Sequence, residues 1–250
     1  MENKTLLFDL ETSPNISYTW FGKHEIDVIE FIEEGYILSF AYKWLNQKKT
    51  YSYSLADFKG NKEKLVKKLH ELFNEADFII AHNAKQFDIK WANRAFIKYE
   101  LKPPSPYKVI DTLTMARSYF KFNSNRLNDL GQFLGVGSKL ETGGFDLWKR
   151  CMLGDKKAFK KMCQYNRQDV VLLEKVYLKL RPYMHNHPVI STQNSFICPI
   201  CGSKHLQSRG FIQLSGGVFR KRRYQCQECG KWCSGEQERV KDKSNNLKCI

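Results

Sequence analysis

The chain has 250 residues, 42% of them hydrophobic and 14% aromatic, enough for one ordinary packed domain with a small appendage. Its 41 Lys+Arg against 26 Asp+Glu give a net charge of +15, which points to a polyanionic partner, nucleic acid first, more than to an acidic protein or a small molecule. No run approaches the ~18 apolar residues of a membrane span, and Met1-Glu2-Asn3-Lys4 does not read as a signal peptide, so the expectation is a soluble, cytoplasmic chain with no membrane partner.

Residues 4–10 predict a strand, and within it Leu6-Leu7-Phe8-Asp9-Leu10-Glu11-Thr12 places two carboxylates two residues apart in an apolar run. The side-chain period of a strand sends Asp9 and Glu11 to one face and Leu10 to the other. Like charges this close repel and lose hydration near a core, so the pair is costly unless a cation lies between them. Taken alone, the pair also fits an edge strand with two solvated acids before a turn at Ser13-Pro14.

Residues 15–34 carry no legible pattern. Strands follow at 36–45 and 50–55 across a polar turn at 46–49, and Leu65, Val66, Leu69, Leu72 and Phe73 recur at helical spacing within 61–76. A short buried strand at 77–81 leads to a helix over 85–99 that Pro103-Pro104 stops, then a strand at 108–110. Helical pieces at 113–119, 126–134 and 145–152 precede a long helix over 155–180 that ends before Pro182. Adjacent strands followed by alternating helix and strand predict an α/β chain, a mixed sheet flanked by helices.

Two further segments bear acids at telling places. Ala81-His82-Asn83-Ala84-Lys85-Gln86-Phe87-Asp88 puts polar groups at the carboxyl end of a strand, where α/β sheets gather their sites, although, taken alone, Asn83 as a helix cap and Asp88 as a dipole partner are the simpler explanation. Tyr165 and Asp169 share a face of the last helix, one turn apart, which a helix surface with a half-buried tyrosine also explains.

Together, Asp9-x-Glu11, then Asn83-x3-Phe87-Asp88, then Tyr165-x3-Asp169, in this order and on strand, strand end and late helix, resemble the three motifs of the DEDD superfamily of 3′→5′ exonucleases, in its tyrosine-bearing DEDDy branch. The resemblance covers about residues 1–182 and implies a ribonuclease H-like fold. Four carboxylates can hold two divalent ions ~3.5–4 Å apart, and hard oxygen ligands suit Mg²⁺ or Mn²⁺. The resemblance further implies that Asp9 bridges both ions, that Glu11 and Asp169 lie on the nucleophile side, and that Asp88 lies towards the leaving group. Tyr165 would orient the attacking water, its ordinary pKa near 10 making a full general-base role a poor fit. Asn83 and Phe87 become nucleic-acid contacts. Asp111 reads as structural, and Ser118 to Arg126 as a single-strand stacking surface, with Tyr119 and Phe120 explained equally well as core aromatics at a helix end.

After Pro182 the composition changes. Residues 183–194 read as a linker, 195–235 as a small metal-bound element, and 236–250 as a polar basic tail. Cys198-x-x-Cys201 and Cys226-x-x-Cys229 supply two knuckles, and Ser215-Gly216-Gly217 between two strand-like runs signals a hairpin. Four thiolates from two such knuckles suit one structural zinc ion, and the pattern resembles transposase-type and transcription-factor zinc ribbons. An element this small needs the metal for its folding energy. Cys233 is a competing ligand by proximity, Cys151 and Cys163 read as helix packing, and Cys249 falls in the tail. From residue 186 onward, 11 Lys+Arg face 4 Asp+Glu, and the cluster Arg220-Lys221-Arg222-Arg223 suits phosphate contacts.

The sequence therefore predicts a metal-dependent 3′→5′ exonuclease on single-stranded 3′ ends, DNA ahead of RNA, with a zinc ribbon that anchors nucleic acid. Its rivals are a 3′→5′ exoribonuclease and a catalytically silent nucleic-acid-binding module.

Overall fold

The computed structural model describes residues 3–20, 27–185, 187–189, 196–214 and 217–240. The chain divides into two compact units, residues 3–180 and the part from Arg181 onward. Among the described residues, no helix is long and apolar enough to cross a membrane.

In the larger unit, β1 (Thr5–Thr12) is followed by a separate antiparallel pair, β2 (Ile16–Thr19) and β3 (Val28–Glu33). Then come β4 (Ile37–Trp44), β5 (Tyr51–Ser54), α1 (Lys62–Glu75), β6 (Phe78–Ala81), α2 (Asp88–Lys98) and β7 (Lys108–Asp111). α3 (Thr112–Tyr119), α4 (Leu127–Phe133), α5 (Asp146–Met152) and the 25-residue α6 (Lys156–Leu180) complete it. The main sheet has the order β5-β4-β1-β6-β7, antiparallel across β5, β4 and β1 and parallel across β1, β6 and β7. This is the mixed, helix-flanked sheet that the strand and helix alternation predicts.

Its two faces follow from the alternation within β1. Phe8 meets Phe73 of α1 edge-on at 5.2 Å, and Phe73 meets Phe96 of α2 at 5.4 Å, so α1 and α2 cover one face. Asp9, the next residue, turns to the opposite face and meets α6, which lies along β4, β1 and β5. Lys43 of β4 and Glu174 of α6 form a largely buried ion pair that ties the same two layers. The central strand thus delivers its acids directly beneath the last helix.

The pair β2 and β3 lies in the stretch whose sequence shows no pattern. Ile16, Tyr18, Ile29, Phe31 and Ile32 are all exposed, so there is no buried face to impose an alternation of apolar and polar residues.

The smaller unit holds three antiparallel strands in the order β10-β9-β8: β8 (Leu206–Gln213), β9 (Phe219–Cys226) and β10 (Trp232–Arg239). β10 runs through residues 236–239, which the sequence reading assigns to the tail. It is polar because most of its side chains face solvent, and backbone pairing to β9 holds it in place. Among the described residues, the core of this unit is Cys198, Ile200 and Cys226 with Cys201, Leu206 and Cys229 against them. Ser215 and Gly216 of the expected turn, residues 186 and 190–194 of the expected linker, residue 195 at the start of the expected ribbon, and Cys249 lie outside the described residues.

Candidate active site

Asp9 and Glu11 of β1 and Asp169 of α6 converge so that one carboxylate oxygen from each lies within 4.8 Å of the others. The Asn166 amide, itself fully buried, sets this convergence: it donates to the Asp9 carboxylate at 2.5 Å and to the Asp9 carbonyl at 3.2 Å, and accepts from the Ser39 hydroxyl of β4 at 3.0 Å. One amide therefore fixes α6 against two strands and orients the first acid. Asp88, the first residue of α2, is buried at 2% exposure and accepts from the Leu10 amide at 3.4 Å. It stands outside the three-carboxylate group, yet close enough for the Asp9 charge to act on it.

The electrostatics are those of four buried or half-buried acids crowded around one ammonium, that of Lys139. Burial, then Asp169, push Asp9 up to about 7. Burial, then Asp9, push Glu11 up to about 8, against the Lys139 ammonium and a hydrogen bond from Trp148. Asp88 is raised well above the carboxylate range by burial and by Asp9, and Asp169 is raised by burial. The Asp169 Oδ1 atom is buried and has no hydrogen-bond partner among the described residues. A buried carboxylate oxygen without a protein donor is open to a ligand, and three converging oxygen donors could hold a hard divalent cation.

Two residues at this site have no signature in the sequence. Lys139, from the segment between α4 and α5, donates to Asp169 at 2.6 Å and to the Tyr165 hydroxyl at 3.1 Å. Burial alone would lower its pKa, but Asp169 and Asp9 outweigh that and raise it, so it stays charged. Trp148 of α5 hydrogen-bonds Glu11 and packs edge-on against Tyr165 at 6.3 Å. Burial and the Asp169 charge hold the Tyr165 phenol neutral, above its ordinary range.

Two grooves are lined in part by residues that touch the acids, Trp148 in one and Lys139 in the other. One, of about 600 Å³, is lined by Thr12, Pro14, Trp91, Phe145 and Trp148. The other, of about 520 Å³, is polar and basic, lined by His82, Asn83, Arg117, Asn125, Arg126 and Lys139. Asn83 thus faces a groove instead of capping α2. Its backbone is left-handed at φ 65°, pinned by Asp111, which accepts from the Asn83 and Lys85 amides and caps α3. Asp111 is accordingly structural. Phe87 is 38% exposed and lies 6.3 Å from Trp91. Phe120 and Phe122 stack on each other at 5.1 Å, and Phe122 packs on Phe133 at 5.1 Å, a local aromatic cluster.

A profile described as the RNase_H superfamily matches residues 30–181, more than half of the chain. The chain belongs to this superfamily. The match takes in Asp88, Tyr165 and Asp169 and begins after β1, so Asp9 and Glu11 enter the site on geometry. The fold is RNase H-like, as the family B DNA polymerase of the hyperthermophilic archaeon Pyrobaculum calidifontis also attests, with a TM-score of 0.53 at 12% identity. That similarity covers 73% of this chain and 25% of the polymerase, so the chain corresponds to about a quarter of the polymerase's length. No curated protein matches the chain.

In the smaller unit, Cys198, Cys201, Cys226 and Cys229 gather their sulfurs within 4.8 Å. Cys198 and Cys229 are 3.7 Å apart, and Cys201 and Cys226 are 3.6 Å apart. Thiolates around a tetrahedral zinc at ~2.3 Å stand about 3.8 Å from one another. The four therefore fit a zinc ion and form no disulfide. The Cys233 thiol points to the Tyr224 carbonyl at 3.8 Å and is not one of the group. The register of β9 parts the basic run, since successive strand residues face opposite sides. Arg220 and Arg222 lie over the Phe211 ring at 3.9 and 4.5 Å, and Arg223 lies over Trp232 at 5.7 Å.

Proposed function

We propose that the chain is a metal-dependent 3′→5′ exonuclease of the DEDDy type that removes nucleotides from single-stranded nucleic-acid 3′ ends, DNA ahead of RNA. The observation that carries this reading is the convergence of Asp9, Glu11 and Asp169 with buried Asp88 beside them, one oxygen of Asp169 being bare. Asp9, Glu11, Asp88 and Asp169 would hold two Mg²⁺ or Mn²⁺ ions, which supply Lewis-acid stabilisation of the phosphate and a more acidic water.

The chain's own residues account for the rest. Asn166 keeps Asp9 turned into the site. The neutral Tyr165 hydroxyl orients the water that attacks the terminal phosphodiester, and the bond to the leaving 3′ oxygen breaks. The Lys139 ammonium, held by Asp169 and Tyr165, offsets charge gathering on the phosphate oxygens. The groove lined by Trp91, Phe145 and Trp148 offers aromatic rings to the terminal base, and the groove with Asn83, Arg117 and Arg126 suits the backbone of the preceding nucleotides. Phe87, exposed beside Trp91, extends the first groove. The zinc ribbon anchors the strand with its basic residues.

The test is cleavage of a 5′-labelled single strand with and without Mg²⁺. A ladder of progressively shortened labelled products supports the reading. Immediate release of labelled mononucleotide, or no Mg²⁺-dependent product, would sink it. A matched RNA strand decides the sugar.

A further inference from the structure

The ribbon sheet has two unlike faces, which β-strand pairing assigns residue by residue. Tyr224, Arg222 and Arg220 share the side of Cys226, opposite Ser208, Phe211 and Gln213 of β8. On that side the charge is already engaged. Arg220 bonds Glu238 at 2.6 Å, and both guanidiniums cover the Phe211 ring.

The reverse side carries Lys221, Arg223 and Gln225 of β9, with Trp232, Gln237 and Arg239 of β10 beside them. No carboxylate stands among these residues. Glu238 pairs with Arg220 on the other side, and Glu236 lies in the bulge between Ser234 and Gln237. Trp232 is 48% exposed, far from the usual fate of an indole in a three-stranded sheet, and Arg223 lies across its ring. An indole face flanked by cations and side-chain amides, without acids, matches a single strand of nucleic acid: unpaired bases stack on the ring while phosphates meet the ammonium and guanidinium groups.

We propose that this face, centred on Trp232 with Lys221 and Arg223, binds a single-stranded nucleic acid chain, whereas Arg220 and Arg222 serve the ribbon's own packing. The inference deepens the anchoring role proposed above and rests on that reading. It divides a run that is continuous in sequence into two binding residues and two structural ones, and adds an aromatic residue from another strand.

The test uses the full zinc-loaded chain carrying Asp9→Ala, so that the strand is not consumed, and measures anisotropy of a fluorescein-labelled oligothymidine strand over a salt series. Each variant is first shown to retain its zinc. Trp232→Ala is expected to weaken binding roughly tenfold, the scale of one lost stacking contact. Trp232→Phe should keep most of the affinity while reducing the tryptophan quenching that accompanies binding by the share due to Trp232. Lys221→Ala with Arg223→Ala should flatten the slope of log affinity against log salt by roughly 1.4, at ~0.7 per phosphate contact of a single strand. Arg220→Ala with Arg222→Ala should leave that slope unchanged and lower the melting temperature.

If the parent binds and the reverse-face variants bind as it does, or if the slope falls only with Arg220 and Arg222, this assignment is overturned while the anchoring role stands. Equal affinity for a fully paired duplex also overturns it, because stacking needs unpaired bases. A parent that binds no oligothymidine removes the anchoring role as well. The exonuclease reading is judged separately, by wild-type cleavage of short strands.

Discussion

Replacing Asp9 by Asn is expected to stabilise the Mg²⁺-free protein while abolishing hydrolysis. Burial and the Asp169 carboxylate carry the Asp9 pKa from its ordinary 3.8 to about 7. At about 1.4 kcal/mol per pH unit, keeping Asp9 ionised at pH 8 costs the fold on the order of 4 kcal/mol. Asn has nearly the same shape, retains an oxygen for the Asn166 amide, and brings no charge to desolvate. Lys139 loses one of its carboxylate neighbours, which takes back part of the gain and leaves a net stabilisation of about 2–3 kcal/mol. In a domain of this size that is about 4–12 °C in Tm. The sign follows from the raised pKa. The native state holds the proton more tightly than the unfolded chain, so this contribution is full below about pH 4 and is lost as pH rises through about 7. Urea melts in Mg²⁺-free buffer that leaves the zinc in place, at pH 5.5 and pH 8, provide the assay. Wild type should lose stability across that interval and regain it on adding Mg²⁺ at pH 8. The Asp9→Asn variant should lose less and respond less to Mg²⁺, with the remaining loss carried by Glu11, Asp88 and Asp169. Wild type equally stable at both pH values, or a variant weaker than wild type at pH 8, would refute the claim that the acids are strained without cations.

Tyr165→Phe should slow cleavage by roughly one to two orders of magnitude and leave the Mg²⁺ midpoint unchanged, whereas Asp169→Ala should cost more. Equal losses in single-turnover cleavage would give the phenol a larger part than orienting water. Lys139→Met should lower kcat roughly a hundredfold while moving the Mg²⁺ activation midpoint to lower concentration, since the carboxylates lose their competing ammonium. An Mg²⁺ titration showing wild-type kcat would remove Lys139 from the reaction. Cys226→Ser should release zinc and unfold the three-stranded sheet, because its buried core is too small to hold without the metal, yet residues 3–180 should keep their fold and cleave short strands in low salt. Zinc content, circular dichroism and cleavage on one preparation decide it. Loss of short-strand cleavage together with zinc would tie the ribbon to catalysis.

Much of the larger unit is legible in the sequence because its periodicities are driven by burial. The stripe Leu65, Val66, Leu69, Leu72 and Phe73 faces β1 and β4 and is buried throughout, as its spacing requires. Asp9 and Glu11 stand out as acids in an apolar run and Asp169 by its place one turn after Tyr165, and the structure brings the three together. Lys139 is illegible for the opposite reason. It is one of 41 basic residues, in a stretch without periodicity, and only the packing of that segment over Asp169 marks it. Asn166 hides between Tyr165 and Asp169 on what reads as a polar helix surface, although it is among the most buried side chains of the site. β10 and the pair β2 and β3 escape because their side chains are largely solvated, and backbone pairing leaves no trace in residue type. The basic run 220–223 is visible, but its division between two faces depends on knowing the strand register.

The amide of Asn166 also bears on when the molecule becomes competent. Asp9 and Asp169 are separated by 160 positions, and their meeting depends on the contact that Asn166 makes with the Asp9 main chain. During synthesis the strands and α1 and α2 can form first, displaying Asp9, Glu11 and Asp88 on a half-covered sheet that still lacks the fourth acid. Every chain interrupted before α6, by a premature stop or by a protease, is therefore incomplete at the pocket itself. On the function proposed above, a fragment ending before α6 would lack Asp169, and the pocket would be completed only when the last helix docks.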